Sequence, residues 1–171
     1  NLTQMKFIHI EQSDGHPPVK TEITARADDW GPNLYDNCTP PTLTTNNEIY
    51  FGACPSNGNP ITSGFRFNNI QIPRGADLKY AYITFTVDGP YYWNTAPISV
   101  NIYEQTNSLT TVTWNIDGAV SQDYDNWIWR GKRTTSDLQT ILEPIIGAGS
   151  WNSGQSLSIM FMNNGSGNAR R

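Results

Sequence analysis

The sequence predicts an all-β protein, specifically a jelly-roll-like antiparallel β-sandwich with one short crossover helix. Short runs in which apolar and polar residues alternate recur along the chain, and this period of two is typical of half-buried strands. Turn-forming Gly, Pro, Asn and Asp residues separate these runs. One segment alone shows helical spacing, so alternating β-α-β folds are excluded. A length of 171 residues suits a single β-sandwich domain over 1–171.

The predicted strands are short and follow one another from the N-terminus. The strongest is the segment 78–87, which is rich in aromatic and β-branched residues. Eight or so strands of this kind, separated by turn signals, predict a sandwich or jelly roll. The predicted strands lie at or within 5–11, 19–27, 48–51, 64–67, 78–87, 98–102, 112–116 and 157–161.

A helix is predicted at about 136–146. Ser136 followed by Gln139 has the spacing of a capping box, and Gly147 follows the last apolar position as a stop signal. Because no other segment has this pattern, the helix is expected to cross between sheets. Its apolar positions follow i, i+3, i+4, i+7 spacing at Leu138, Ile141, Leu142 and Ile145.

The composition excludes several classes of protein. Aromatic residues make up 12% of the chain, which argues against disorder. The net charge is −4 and no basic run occurs, so a nucleic-acid partner is not expected. No stretch approaches the roughly 20 apolar residues of a membrane span. The chain opens at Asn1 without an initiator Met or a signal peptide, which suggests a processed or excised segment.

Two cysteines and three glycosylation motifs favour an extracellular location. Cys38 and Cys54 lie in a loop rich in Pro, Asn and Thr, where a disulfide is the expected state and two unrelated thiols the alternative. Asn-x-Ser/Thr triplets also arise by chance in a chain of this composition. The predicted N-glycosylation sites are Asn1, Asn37 and Asn164.

Several short motifs together resemble a known family. They are 27–29 (ADD), 47–49 (NEI), 64–67 (GFRF), 72–76 (IPRGA), 81–85 (AYITF), 135–138 (TSDL) and 149–154 (GSWNSG). Over about residues 19–170 the pattern resembles the secreted β-sandwich modules of the disaggregatase-related, DNRLRE-like type. The resemblance implies a jelly-roll-like sandwich with non-catalytic work, namely polysaccharide binding, adhesion or surface architecture.

The chain departs from this family at both ends. The resemblance implies a final strand beyond 167–170, which this chain lacks, whereas residues 1–12 hold an additional strand candidate. Three interpretations remain open: the chain's own N-terminal strand fills the slot, a neighbour's strand fills it by donor-strand addition, or the chain is truncated. In the second case the assembly residues are Met5, Phe7, Ile8 and Ile10.

The chemistry-bearing residues predict a non-enzymatic protein with a candidate cation site around 28–48 and a second acidic cluster at 123–126, both in loops. His9 and His16 are the only histidines, and the sequence contains no known hydrolase or nucleotide-binding motif. Acidic residues around a long loop offer the hard oxygen ligands that Ca²⁺ prefers, although solvated or turn-capping carboxylates are the alternative. The candidate structural calcium ligands are Asp28, Asp29, Asp36 and Glu48.

Two aromatic segments are the candidate glycan-binding surface. Three adjacent aromatic residues join two predicted strands, and two further tryptophans share one side of an extended segment. The alternatives are a lid over the end of the sandwich and a subunit interface, where Tyr and Trp are also enriched. The candidate residues are Tyr91, Tyr92, Trp93, Asn94, Trp127 and Trp129.

Two functions follow from these observations. The first is a secreted structural subunit that assembles with copies of itself into an extracellular filament or surface layer, with donor-strand addition as a possible route. The alternative is a carbohydrate-binding module that attaches to extracellular polysaccharide through the aromatic loops. Both hypotheses place a non-enzymatic β-sandwich outside the cell.

Overall fold

The structure, a computed structural model, describes residues 6–22, 29–30, 62–87, 98–106, 119–124 and 131–163. These residues form nine strands and one helix. In chain order they are β1 (Lys6–Gln12), β2 (Val19–Glu22), β3 (Asp29–Trp30), β4 (Thr62–Ile70), β5 (Leu78–Val87), β6 (Ile98–Thr106), β7 (Ala119–Tyr124), β8 (Gly131–Thr134), α1 (Gln139–Gly147) and β9 (Gln155–Asn163).

The strands form two antiparallel sheets. The four-stranded sheet has the order β2-β1-β5-β8, and the five-stranded sheet has the order β3-β4-β9-β6-β7. The helix α1 connects β8 in the first sheet to β9 in the second. The all-β class with one short helix is therefore confirmed for the described residues, while the jelly-roll connectivity stays a prediction.

Side chains from both sheets meet in one apolar core. Phe65 of β4 and Phe161 of β9 face Phe85 of β5 across the gap between the sheets. The Phe65 ring centroid lies 5.1 Å from that of Phe85 and 5.6 Å from that of Phe161. All three rings are at most 4% exposed, so this cluster joins the two sheets by apolar burial and edge-to-face ring contacts.

The N-terminal strand β1 lies inside the four-stranded sheet. It pairs with β2 on one side and with β5 on the other, with Ile8 opposite Ile83 and Ile10 opposite Ala81. Ile8 and Ile10 are completely buried, whereas Phe7 is half-buried on the opposite side of the strand. Of the predicted assembly residues these three lie in the chain's own sheet, and Met5 lies outside the described residues.

The helix begins at Gln139, later than the predicted start at about 136. The preceding segment instead continues along the edge of β5. Thr135 donates its backbone N–H to the Ile83 carbonyl at 2.9 Å and accepts the Ile83 N–H on its hydroxyl at 3.0 Å. The predicted Ser136 cap is wrong, because the Asp137 carboxylate accepts the Gln139 N–H at 3.0 Å. Tertiary pairing with β5 therefore decides where the helix starts.

The connection from β4 to β5 is a tight turn, and three of the observed strands were not predicted. The Ala76 N–H donates to the Pro73 carbonyl at 3.2 Å, and Gly75 has the positive φ of 74° that the third residue of such a turn takes. The short strands β3, β7 and β8 were not predicted. Asp29 and Asp123, both expected in loops, lie on β3 and β7.

Candidate functional site

The outer face of the four-stranded sheet carries the most distinctive cluster of side chains among the described residues. Along β1 and β5 one set of side chains enters the core and the alternate set points outward, as the period of a strand requires. In the outward set His9 lies opposite Tyr82, and Glu11 lies opposite Tyr80. All four side chains are half-buried, so each keeps part of its surface in contact with solvent.

Three of these side chains form what we call the aromatic triad: His9, Tyr80 and Tyr82. The His9 and Tyr82 ring centroids are 4.9 Å apart with planes inclined by 14°, and those of His9 and Tyr80 are 5.7 Å apart at 12°. The two tyrosine rings are 6.0 Å apart, also at 14°. Near-parallel rings at these separations are offset stacks, so the triad forms one continuous stack of rings across two strands.

A fixed carboxylate lies beside the triad. Glu11 accepts a hydrogen bond from the Tyr80 hydroxyl on one oxygen and from the Lys79 ammonium, at 3.0 Å, on the other. The Tyr80 hydrogen bond and then the Lys79 hydrogen bond lower the pKa of the Glu11 carboxyl below its ordinary value. The Glu11 carboxylate in turn raises the pKa of Tyr80. Glu11 is therefore ionised at neutral pH and held in one orientation.

The rest of the face surrounds the triad with cationic and hydroxyl groups. The Lys20 ammonium lies 4.1 Å from the centre of the Phe7 ring, a close cation–π contact. On the β8 side the hydroxyls of Thr84 and Thr134 lie 3.2 Å apart, in hydrogen-bond contact. The face thus combines aromatic carbon with a few placed polar groups, which is the usual composition of a ligand site.

The sequence-predicted sites fall almost entirely outside the described residues. Asp29 is placed on β3 by its backbone, but the other three candidate calcium ligands are not described. The calcium, glycan, disulfide and glycosylation predictions therefore stay predictions. The residues outside the described ranges are Asp28, Asp36, Cys38, Glu48, Cys54, Tyr91, Tyr92, Trp93, Asn94, Trp127, Trp129, Asn1, Asn37 and Asn164.

Two further observations concern the described residues alone. Within them, no three His, Cys, Asp or Glu side chains are grouped so as to hold a metal ion. No helix in this part of the chain is long and apolar enough to span a membrane.

Sequence reasoning missed the aromatic triad because its members are far apart along the chain. The alternation in 5–11 and in 78–87 does place His9, Tyr80 and Tyr82 opposite the apolar side of each strand. That signal is present in the sequence of each strand. The pairing of β1 with β5, about seventy residues later, is a tertiary fact that no local pattern contains.

Comparison of the chain with protein-family models, curated proteins and solved structures gives no match. The resemblance to the DNRLRE-like modules therefore stays a prediction from short motifs, and the functional argument depends on the geometry of the outer face.

Proposed function

We propose that this protein is a non-enzymatic extracellular β-sandwich module that binds polysaccharide through the outer face of its four-stranded sheet. The observation that carries the proposal is the aromatic triad with the ionised Glu11 beside it. Partly exposed rings offer apolar contact to the C–H groups of sugars, and a fixed carboxylate accepts their hydroxyl protons. This function is the alternative that the sequence suggests, assigned to a different surface.

Two other ligand classes fit this face less well. A proline-rich peptide docks into aromatic-lined grooves, but ring centroids 4.9 to 6.0 Å apart leave no slot between neighbouring rings of the triad. Single-stranded nucleic acid also stacks on aromatic rings, yet it requires a positively charged surface. The chain carries a net charge of −4. A neutral polyhydroxyl ligand needs neither a slot between the rings nor a positively charged surface.

A purely structural role for the triad is the competing interpretation, since cross-strand aromatic pairs stabilise sheets. The test is retention of the whole protein on five insoluble polysaccharides: cellulose, xylan, mannan, chitin and curdlan. We expect retention on at least one of them and a loss of about tenfold or more in affinity for Tyr82→Ala, with Tyr82→Phe restoring it. Retention on none of the five polysaccharides overturns the proposal.

A matched variant separates the outer face from the loops predicted by the sequence. Trp93→Ala removes an aromatic ring from the 91–94 segment and leaves the triad intact. If Trp93→Ala abolishes retention while Tyr82→Ala leaves it unchanged, the binding surface is the loop, and our assignment to the sheet face is wrong. Thermal unfolding of each variant checks that lost retention is not lost folding.

A second candidate function, self-assembly by strand exchange, is favoured by the position of β1. This strand is N-terminal, yet it lies between two other strands and supplies two fully buried core residues, Ile8 and Ile10. The same strand from a second copy would make identical contacts, which is the basis of strand exchange. Residues 13–18 connect β1 to β2 and span at most about 20 Å when extended. The strand β1 can therefore exchange alone only with a close neighbour, and otherwise it exchanges together with β2.

Cross-linking tests this candidate. Copies carrying only His9→Cys are mixed after unfolding and refolding with copies carrying only Tyr82→Cys, since these positions are directly opposite in the register. Exchange between copies predicts a disulfide-linked dimer on non-reducing electrophoresis. Own-chain pairing predicts monomers only, the same result as for His9→Cys mixed with itself. Light scattering on the unmodified chain gives the mass of any assembly.

A further inference from the structure

The hydrogen bonds of Glu11 leave a defined pattern of vacant acceptor positions. An ionised carboxylate has two oxygens and about four lone-pair positions. Among the described residues, Lys79 donates to one oxygen and the Tyr80 hydroxyl to the other. Each oxygen therefore keeps one acceptor position, so the carboxylate can accept two further hydrogen bonds, one on each oxygen.

The carboxylate is also held in place before any ligand arrives. Tyr80 is fixed by its stacking with His9 and Tyr82, and Lys79 lies 6.0 Å from the centre of the Tyr80 ring. The Glu11 side chain is 24% exposed, so it is supported from the sheet side and open on the other. A preoriented acceptor loses little conformational entropy on binding, which favours affinity and selectivity.

We infer that Glu11 makes this site selective for glycans whose sugar units carry two free hydroxyls on adjacent carbons. This inference rests on the proposed function. Two neighbouring hydroxyls of a sugar ring have nearly the spacing of two carboxylate oxygens, so each donates one hydrogen bond to one vacant position of Glu11. The C–H groups of the same or the next sugar then lie against the aromatic triad. A unit whose adjacent hydroxyl is substituted makes only one of the two bonds.

The same five polysaccharides test this selectivity. Internal units of cellulose, xylan and mannan keep free hydroxyls at C2 and C3. Curdlan uses the C3 oxygen for its linkage, and chitin carries an acetamide at C2. We expect retention only on members of the first group, because a missing charge-assisted hydrogen bond lowers affinity about tenfold or more. Retention on curdlan or chitin equal to that on the best polysaccharide overturns the inference.

A chemical treatment of the ligand tests it on the unmodified protein. Periodate cleaves the carbon–carbon bond between neighbouring hydroxyls, and borohydride reduction then removes the aldehydes formed. We expect the retained polysaccharide to lose binding after this treatment, while a mock-treated sample keeps it. Unchanged binding after cleavage shows that adjacent hydroxyls are not recognised.

The variant Glu11→Gln tests whether Glu11 is the residue that produces the selectivity. A neutral amide offers one acceptor oxygen instead of two, so we expect at least a tenfold loss of affinity and a smaller ratio between the diol-bearing polysaccharide and curdlan. A merely structural role for Glu11 lowers thermal stability but leaves that ratio unchanged. Binding of the unmodified protein without selectivity among the five polysaccharides refutes the inference alone, whereas absence of binding to any of the five refutes the proposed function.

Discussion

The variant Ile10→Ala is expected to destabilise the protein by about 2–5 kcal/mol. Ile10 is completely buried on β1, opposite Val19 of β2 and Ala81 of β5. The substitution removes three carbon atoms, which corresponds to about 2.4 kcal/mol at about 0.8 kcal/mol each. A residual cavity adds to this loss, because the two strands that flank Ile10 can move only partly into the space left by the side chain. The total is a large fraction of the roughly 5–15 kcal/mol that stabilises a typical domain.

Urea unfolding measures this loss as a lower midpoint at an unchanged slope. The matched control is Glu22→Ala, an exposed position on β2 of the same sheet, where we expect a change within about 0.5 kcal/mol. A loss of less than about 1 kcal/mol for Ile10→Ala, or one equal to the control, would show that β1 is not part of the core. The reasoning about the position of β1 would then be wrong.

Three further predictions concern single interactions. Trp151→Phe removes the indole N–H that donates to a buried backbone carbonyl at 3.0 Å, and thermal unfolding is expected to show a loss of about 1–3 kcal/mol. Gly75→Ala is expected to destabilise the protein by about 1–2 kcal/mol because the φ of Gly75 is 74°. The control is Gly147→Ala: an added Cβ meets no atom within 4 Å at either position, but Gly147 is in the helix, so this substitution is expected to stabilise slightly. Tyr80→Phe removes the hydrogen bond to the Glu11 carboxylate, so the unmodified chain is expected to be the more stable of the two. This difference in the free energy of unfolding is expected in full above the ordinary pKa of Glu11, and it is lost as the pH falls through the lowered pKa that Glu11 has in the folded protein. Unfolding measured at several pH values tests it.

The position of β1 also changes how the assembly hypothesis is tested. On the sequence alone, deleting residues 1–12 is expected to separate polymer formation from glycan binding. In the structure, however, that deletion removes Ile8 and Ile10 from the core and Glu11 and His9 from the outer face. It is expected to abolish folding and binding together. Point substitutions and cross-links in the intact chain therefore distinguish the two functions, whereas truncation does not.

Local patterns predicted the elements whose stability is decided by their own residues. The strand 78–87 has the predicted bounds because its aromatic and β-branched residues suit a strand in any register. The turn at 73–76 follows from a glycine at its third position, where φ is positive, whereas Pro73 is its first residue. The short strands β3, β7 and β8 were missed because two, six and four residues without strong alternation form strands only where a neighbour supplies hydrogen bonds.

The sequence by itself determined the all-β class, most of the longer strands and the presence of the crossover helix, because period and turn chemistry are local properties. The tertiary structure alone decided that β1 lies between β2 and β5, that α1 begins only after residues 135–138 have paired with β5, and that a histidine, two tyrosines and a glutamate share one face. These outcomes depend on hydrogen bonds between segments 50 to 70 residues apart, as in the contacts of Thr135 and Glu11 with β5. The periodicity within a segment does not specify which distant segment forms hydrogen bonds with it.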